Sequence, residues 1–144
     1  MGLMQRLTLI AASLAVTATV QAADLAEHRW RERVILVHVS DGQQAAWQRL
    51  EAVLRARASD LRERDVVVYV VGRSGETWRE GVPLSRADAE ALRRRIDLPP
   101  DTVQLIGKDG GVKLSQPLAQ ADLEGIFRTI DEMPMRQWEM QNRR

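Results

Sequence analysis

Hydrophobic positions along this chain change period several times, and each change marks an element. Arg33-Val34-Ile35-Leu36-Val37-His38-Val39-Ser40 is apolar without alternation until its end, the pattern of a short strand buried on both faces. Asp41-Gly42 ends it, and Asp41 reads as the N-cap of the next helix. Across residues 43–61, Ala46, Trp47, Leu50, Val53, Leu54, Ala58 and Leu61 fall at near-helical spacing with Arg and Glu between them, which predicts one amphipathic helix covering a sheet. Val66-Val67-Val68-Tyr69-Val70-Val71 is a second buried strand. A strand-helix-strand order with two central strands predicts a parallel pair joined by a right-handed crossover.

Residues 72–83 are polar and carry Gly72, Gly75, Gly81 and Pro83, so they read as an exposed excursion with a short edge strand near residues 76–79. Ser85-Arg86-Ala87-Asp88 resembles a capping box and opens a short helix through Arg95, whose closing arginines suit the negative end of the helix dipole. Pro99-Pro100 stops it. Thr102-Val103-Gln104-Leu105-Ile106 and Val112-Lys113-Leu114 flank Lys108-Asp109-Gly110-Gly111, a hairpin turn whose glycines supply positive φ. A last helix over residues 118–133 buries Leu123, Ile126, Phe127, Ile130 and Met133, and Pro134 breaks it. This order layers as a mixed sheet of four to five strands with helices on both faces, a thioredoxin-like three-layer α/β sandwich.

The first 22 residues alter the size of the folded part. A basic Arg6, an apolar block from Leu7 to Val20 and small residues at Val20 and Ala22 read as a cleavable signal peptide, since the block is shorter than the roughly 20 residues a spanning helix needs. Cleavage after Ala22 leaves residues 23–144 as one domain, exported to a periplasm or secreted, with no stable membrane insertion. Of 21 basic side chains it removes Arg6 alone, leaving 20 against 20 acidic. Balanced, interspersed charge argues against nucleic acid as a partner. The chain has no cysteine. That excludes disulfide stapling, thiol redox catalysis and Cys-ligated metal, so stability rests on the core.

Both lysines of the chain, Lys108 and Lys113, sit on the Gly-rich hairpin. Trp30-x-x-Arg33 before the first strand, Leu105-Ile106-Gly107-Lys108-Asp109-Gly110-Gly111-Val112-Lys113, and Ile130-Asp131-Glu132-Met133-Pro134-Met135-Arg136 with Glu139-Met140 together resemble the P-DUDES family. The resemblance covers the chain from about Leu25 to Met140, and Met-Pro-Met-Arg is its most specific part. It implies a thioredoxin-like fold and export, with peroxiredoxin-like relatives, and it implies no particular activity. The window in which such relatives keep a thiol is Ser40-Asp41-Gly42-Gln43-Gln44-Ala45-Ala46-Trp47, which holds no sulfur.

Two kinds of binding residue stand out. The turn of Lys108, Asp109, Gly110, Gly111 and Lys113 combines backbone N–H groups with positive charge, the ingredients of a nest for a small anion; the competing reading is an ordinary hairpin with Lys108 exposed and Lys113 paired to a neighbouring acid. Trp78, Met135, Arg136 and Trp138, with Met133 and Met140, offer an adaptable contact surface of the kind proteins use to bind proteins. Structural roles go to Trp30, packing the lead-in, to Arg33, paired with a carboxylate, and to Asp131, clamping Arg136 across Pro134. His38 satisfies a hydrogen bond near the core edge, and His28 lies in the lead-in; no metal ligand set, cofactor or catalytic residue emerges. The expectation is an exported, non-catalytic domain that binds an envelope or extracellular protein. The alternatives are a small-anion or metabolite-binding protein, or a thiol-independent enzyme, using the 107–113 turn.

Overall fold

A computed structural model of the protein describes residues 25–143, so the expected signal peptide lies outside the described residues. Six strands form one mixed sheet: β1 (Arg33–Val39), β2 (Val66–Gly72), β3 (Thr77–Arg79), β4 (Val82–Pro83), β5 (Thr102–Ile106) and β6 (Val112–Pro117), ordered β4-β3-β2-β1-β5-β6. β1 and β2 run parallel, with Arg33 beside Val66 and Val39 beside Gly72; the other neighbours are antiparallel. Five helices accompany the sheet: α1 (Ala45–Ala56), α2 (Ala58–Glu63), α3 (Arg86–Arg93), α4 (Leu123–Asp131) and α5 (Pro134–Asn142). Short 3-10 turns occupy Leu25–His28 and Leu118–Gln120.

Alternation along β1 divides the core. Ile35, Val37 and Val39 face a large apolar cluster with Leu50 and Leu54 of α1, Leu61 of α2 and the inner face of α4. Val34 and Leu36 face the opposite way, towards Val67, Tyr69, Ile106 and Leu92 of α3. The unbroken apolar run of β1 follows from helices on both sides. Each fully buried aliphatic side chain contributes roughly 1.5–3 kcal/mol of transfer free energy, and no disulfide supplements it.

Several boundaries differ from expectation. The sheet has six strands rather than four to five: the short strand expected near residues 76–79 is β3, and the polar excursion adds the two-residue β4, too short for any period to register. The 43–61 helix is two helices, broken at Arg57, where φ −106° and ψ 24° leave the helical region. Asp41 does not cap it: Gln44 holds the cap position, and the Asp41 carboxylate accepts from the Gln43 N–H in a local turn. Ser85 does cap α3, accepting from the Asp88 N–H, although the helix ends at Arg93 rather than Arg95. The last helix begins at Leu123 under the Asp122 side chain, not at 118. Pro134 stands two residues beyond the Glu132 cap that closes α4, and it opens α5 from the N1 position, where its missing N–H is no loss.

Candidate functional site

At the N-terminal ends of β1 and β2, the three stretches that carry the family resemblance meet in one ion cluster. Arg33 opens β1 with 1% of its surface exposed, and its two terminal nitrogens donate to both Glu139 oxygens at 3.1 and 3.2 Å, a fork that fits a carboxylate. Lys108, just past β5, turns back into the same space and donates to Glu139 Oε1 at 2.6 Å and to Asp65 Oδ2 at 2.9 Å. Arg136, also 1% exposed, donates from Nε to Asp131 Oδ1 at 3.1 Å and from Nη2 to Glu63 Oε1 at 2.6 Å. Arg64 binds Asp131 through Nε and Nη2, at 3.0 and 2.9 Å, and lays its guanidinium 4.2 Å from the centre of the Phe127 ring. Arg143 reaches Asp65 at 2.8 Å.

Five cations thus meet four carboxylates across the start of β1, the end of α2 and the turn after it, the hairpin, α4 and α5. The Glu139 carboxyl loses hydration on burial, which acts to raise its pKa, yet the donors from Arg33 and Lys108 outweigh this and hold it below its ordinary value of 4.5. Burial likewise opposes ionisation of Asp65 and Asp131, and their Lys and Arg partners again leave both below 3.8. A depressed folded-state pKa contributes stability that is complete above the unfolded pKa and disappears as pH falls through the folded value. The urea midpoint is therefore expected to stay level down to about pH 5 and then to fall continuously in more acid solution. Onset of the loss between pH 6 and 7 would instead place its origin outside these carboxylates.

The hairpin turn is committed to this structure. Lys108 is buried rather than exposed, and Lys113 pairs with Asp109 at 2.7 Å. The Gly110 N–H donates to the Gly107 carbonyl, the Gly107 N–H to the Gly111 carbonyl, and the Gly111 N–H to Asp109. Both charges and these three N–H groups of the nest thus have internal partners. Asp131 does clamp Arg136, and Arg33 does find a carboxylate. Trp30 does not pack the lead-in: its backbone adopts φ 66°, which turns the ring outward to 62% exposure beneath Arg29, while its N–H donates to the Lys108 carbonyl.

The contact residues fall into two places. Met135 and Trp138 are exposed on the outer side of α5, Trp138 at 66%. Trp78 is half-buried, and lines a groove of about 620 Å³ floored by Val66, Val68 and Val70 and walled by Trp47, Leu54 and Leu61. His28, expected merely to sit in the lead-in, is buried between the Tyr69 hydroxyl at 2.7 Å and Glu32 at 2.8 Å. Burial pushes the Tyr69 phenol up to about 12, so it serves as a neutral partner. His38 accepts from the Asp101 N–H at 3.0 Å, and the Asp101 carboxylate takes donors from the Ser40 N–H, the Ser40 hydroxyl and Gln44, which fills the thiol-free window with a satisfied polar cluster. Among the described residues no group of His, Cys, Asp and Glu is placed to hold a metal ion, and no helix is long and apolar enough to cross a membrane.

The cluster partners Glu63, Arg64, Asp65, Glu139 and Arg143 were not singled out by the sequence as binding or structural residues. Arg136 and Glu139, three apart on what proves to be a helix, were the available signal.

Fold and site together define a mixed α/β protein whose first strand, Gly-rich hairpin and last helix are fastened by buried ion pairs. The chain belongs to the DUF4174 family, a domain of unknown function whose profile matches residues 24–139. Every cluster residue except Arg143 lies inside that match. Coiled-coil domain-containing protein 80 of Danio rerio is similar, with 27% identity over 135 residues that cover 81% of this chain and 15% of that protein. The chain thus corresponds to a small part of that relative's length.

Proposed function

We propose that this chain is an exported, non-catalytic thioredoxin-like domain of the P-DUDES type that binds another protein through α5. The observation that carries this reading is the inverted polarity of the helix. Its only charged residues, Arg136 and Glu139, are buried, while Met135 and Trp138 face solvent. A helix stabilised by its own apolar face would do the reverse. Here the ion cluster fixes the helix from beneath, so an aromatic and a thioether are displayed on a backbone already ordered before any partner arrives. Such preorganisation lowers the entropy cost of association, and Trp is the side chain that most often dominates an interface. The uncharged outer face suits an apolar patch on the partner. The anion reading of the hairpin is set aside because its lysines and glycine N–H groups already have partners within the protein.

The test places a photo-crosslinking residue at position 135 or 138, and at Gln48 of α1 as a control, in the exported protein. One discrete adduct shared by 135 and 138 and absent from 48 is the expected result, with its yield falling at least about tenfold in Trp138→Ala when the probe sits at 135. Equal labelling from all three positions, or none, overturns the assignment to α5.

A further inference from the structure

At the other end of the parallel strands, about 20 Å from the ion cluster by strand rise, lies a cavity of about 230 Å³ between the C-terminal ends of β1 and β2 and the end of α3. Ligands of α/β sheets favour the carboxyl ends of parallel strands. The walls are apolar at Val71, Ile96 and Leu98, and the polar side chains are those of His38, Arg73 and Arg93.

Its charge sets it apart. No acid lines this cavity. The groove beside Trp78 carries Glu51, Glu76 and Glu80 with its two arginines. A groove beside α4 is lined by Arg49 together with Asp122 and Glu124, and one beside the lead-in by Arg29 and Arg95 together with Glu32 and Asp97. Arg73 and Arg93 make no ion pair with any described residue; Arg49 and Arg62 make none either, but each of those lines a groove that also holds acids.

Local structure places each donor. The turn after β2 closes with the Gly72 N–H on the Glu76 carbonyl and the Gly75 N–H on the Gly72 carbonyl, and this holds Arg73 at the rim. Gly75 has φ 86° and lies directly against the Arg93 guanidinium: a Cβ there would come within 2.2 Å of Arg93 Nη1. His38 accepts the Asp101 N–H at Nδ1, so the ring carries its proton on Nε2 and can donate from there.

We propose that this cavity binds a small phosphomonoester, with the Arg73 and Arg93 guanidiniums on the phosphate, His38 donating from Nε2, and the short organic group against Ile96 and Leu98. Paired guanidiniums favour a compact dianion over a singly charged carboxylate. The site is independent of α5.

Calorimetric titration of the full exported chain with phenyl phosphate, and with benzoate as the singly charged analogue, tests it. Saturable binding of phenyl phosphate is expected, weakened at least about tenfold in Arg73→Ala/Arg93→Ala and unchanged in Arg49→Ala/Arg62→Ala, which removes two charges elsewhere. Both arginines of the site are exposed, so the double variant keeps its fold, checked by its urea midpoint. Absence of saturation up to about 10 mM, equal affinity in the double variant, or benzoate binding as tightly as phenyl phosphate overturns the proposal.

Discussion

Glu139→Ala is expected to lower the free energy of unfolding by about 3–5 kcal/mol at pH 7, read from urea titration. This carboxylate accepts hydrogen bonds from two buried cations and lies 3.8 Å from a third, Arg136, and its removal leaves the Arg33 side chain with only the Arg64 carbonyl. Arg33 Nε already lacks a protein partner, so no spare acceptor is at hand to take over. Lys108 retains Asp65 and suffers less. The cost is that of stranding a buried charge, which differs from the net contribution of the cluster. Replacing all three groups by apolar ones, as Arg33→Met/Lys108→Met/Glu139→Leu, is therefore expected to recover most of the loss, because desolvation of the ions offsets much of their attraction. A Glu139→Ala cost below about 1 kcal/mol would place the cluster among solvated surface pairs.

The sheet was legible where sequence and burial coincide. β1 and β2 declare themselves through unbroken β-branched runs because both faces are covered, and their parallel pairing follows from the helical stretch between them. Ser85 and the Asp131–Arg136 clamp were legible because each is local, with partners three and five residues apart. β4 was invisible because two exposed residues carry no period. The break at Arg57 was hidden because Ala58 and Leu61 continue the apolar spacing of α1 across it.

Half the site was hidden by the rule used to read it. Hydrophobic periodicity assigns apolar residues to the inside, and α5 places its charges there, so the helix beyond Pro134 gave no usable pattern. Lys108 misleads in the same way: a lysine in a Gly-rich turn belongs in water unless a distant acid receives it, and Glu139 lies 31 positions away. The rarity of lysine marked the position but not the direction in which it points.

Arg136→Lys is expected to behave almost as Arg136→Ala, each costing about 3 kcal/mol, because the role of Arg136 depends on fork geometry as well as charge. Its guanidinium serves Asp131 on α4 through Nε and both the carboxylate and the carbonyl of Glu63 on α2 through its terminal nitrogens. An ammonium on a flexible stem cannot hold all three at once. The buried residues of α5 are Arg136 and Glu139 and no apolar one, so the loss should be concentrated in that helix. Hydrogen exchange should then show protection across residues 134–142 collapsing towards local opening while the β1 and β2 amides retain most of theirs. A uniform loss of protection would make α5 part of the global folding unit instead. If the loss is local, the same variants should weaken the crosslink at position 135 although Trp138 is untouched, since a side chain on a frayed helix must recover its order at the partner's surface before it can bind.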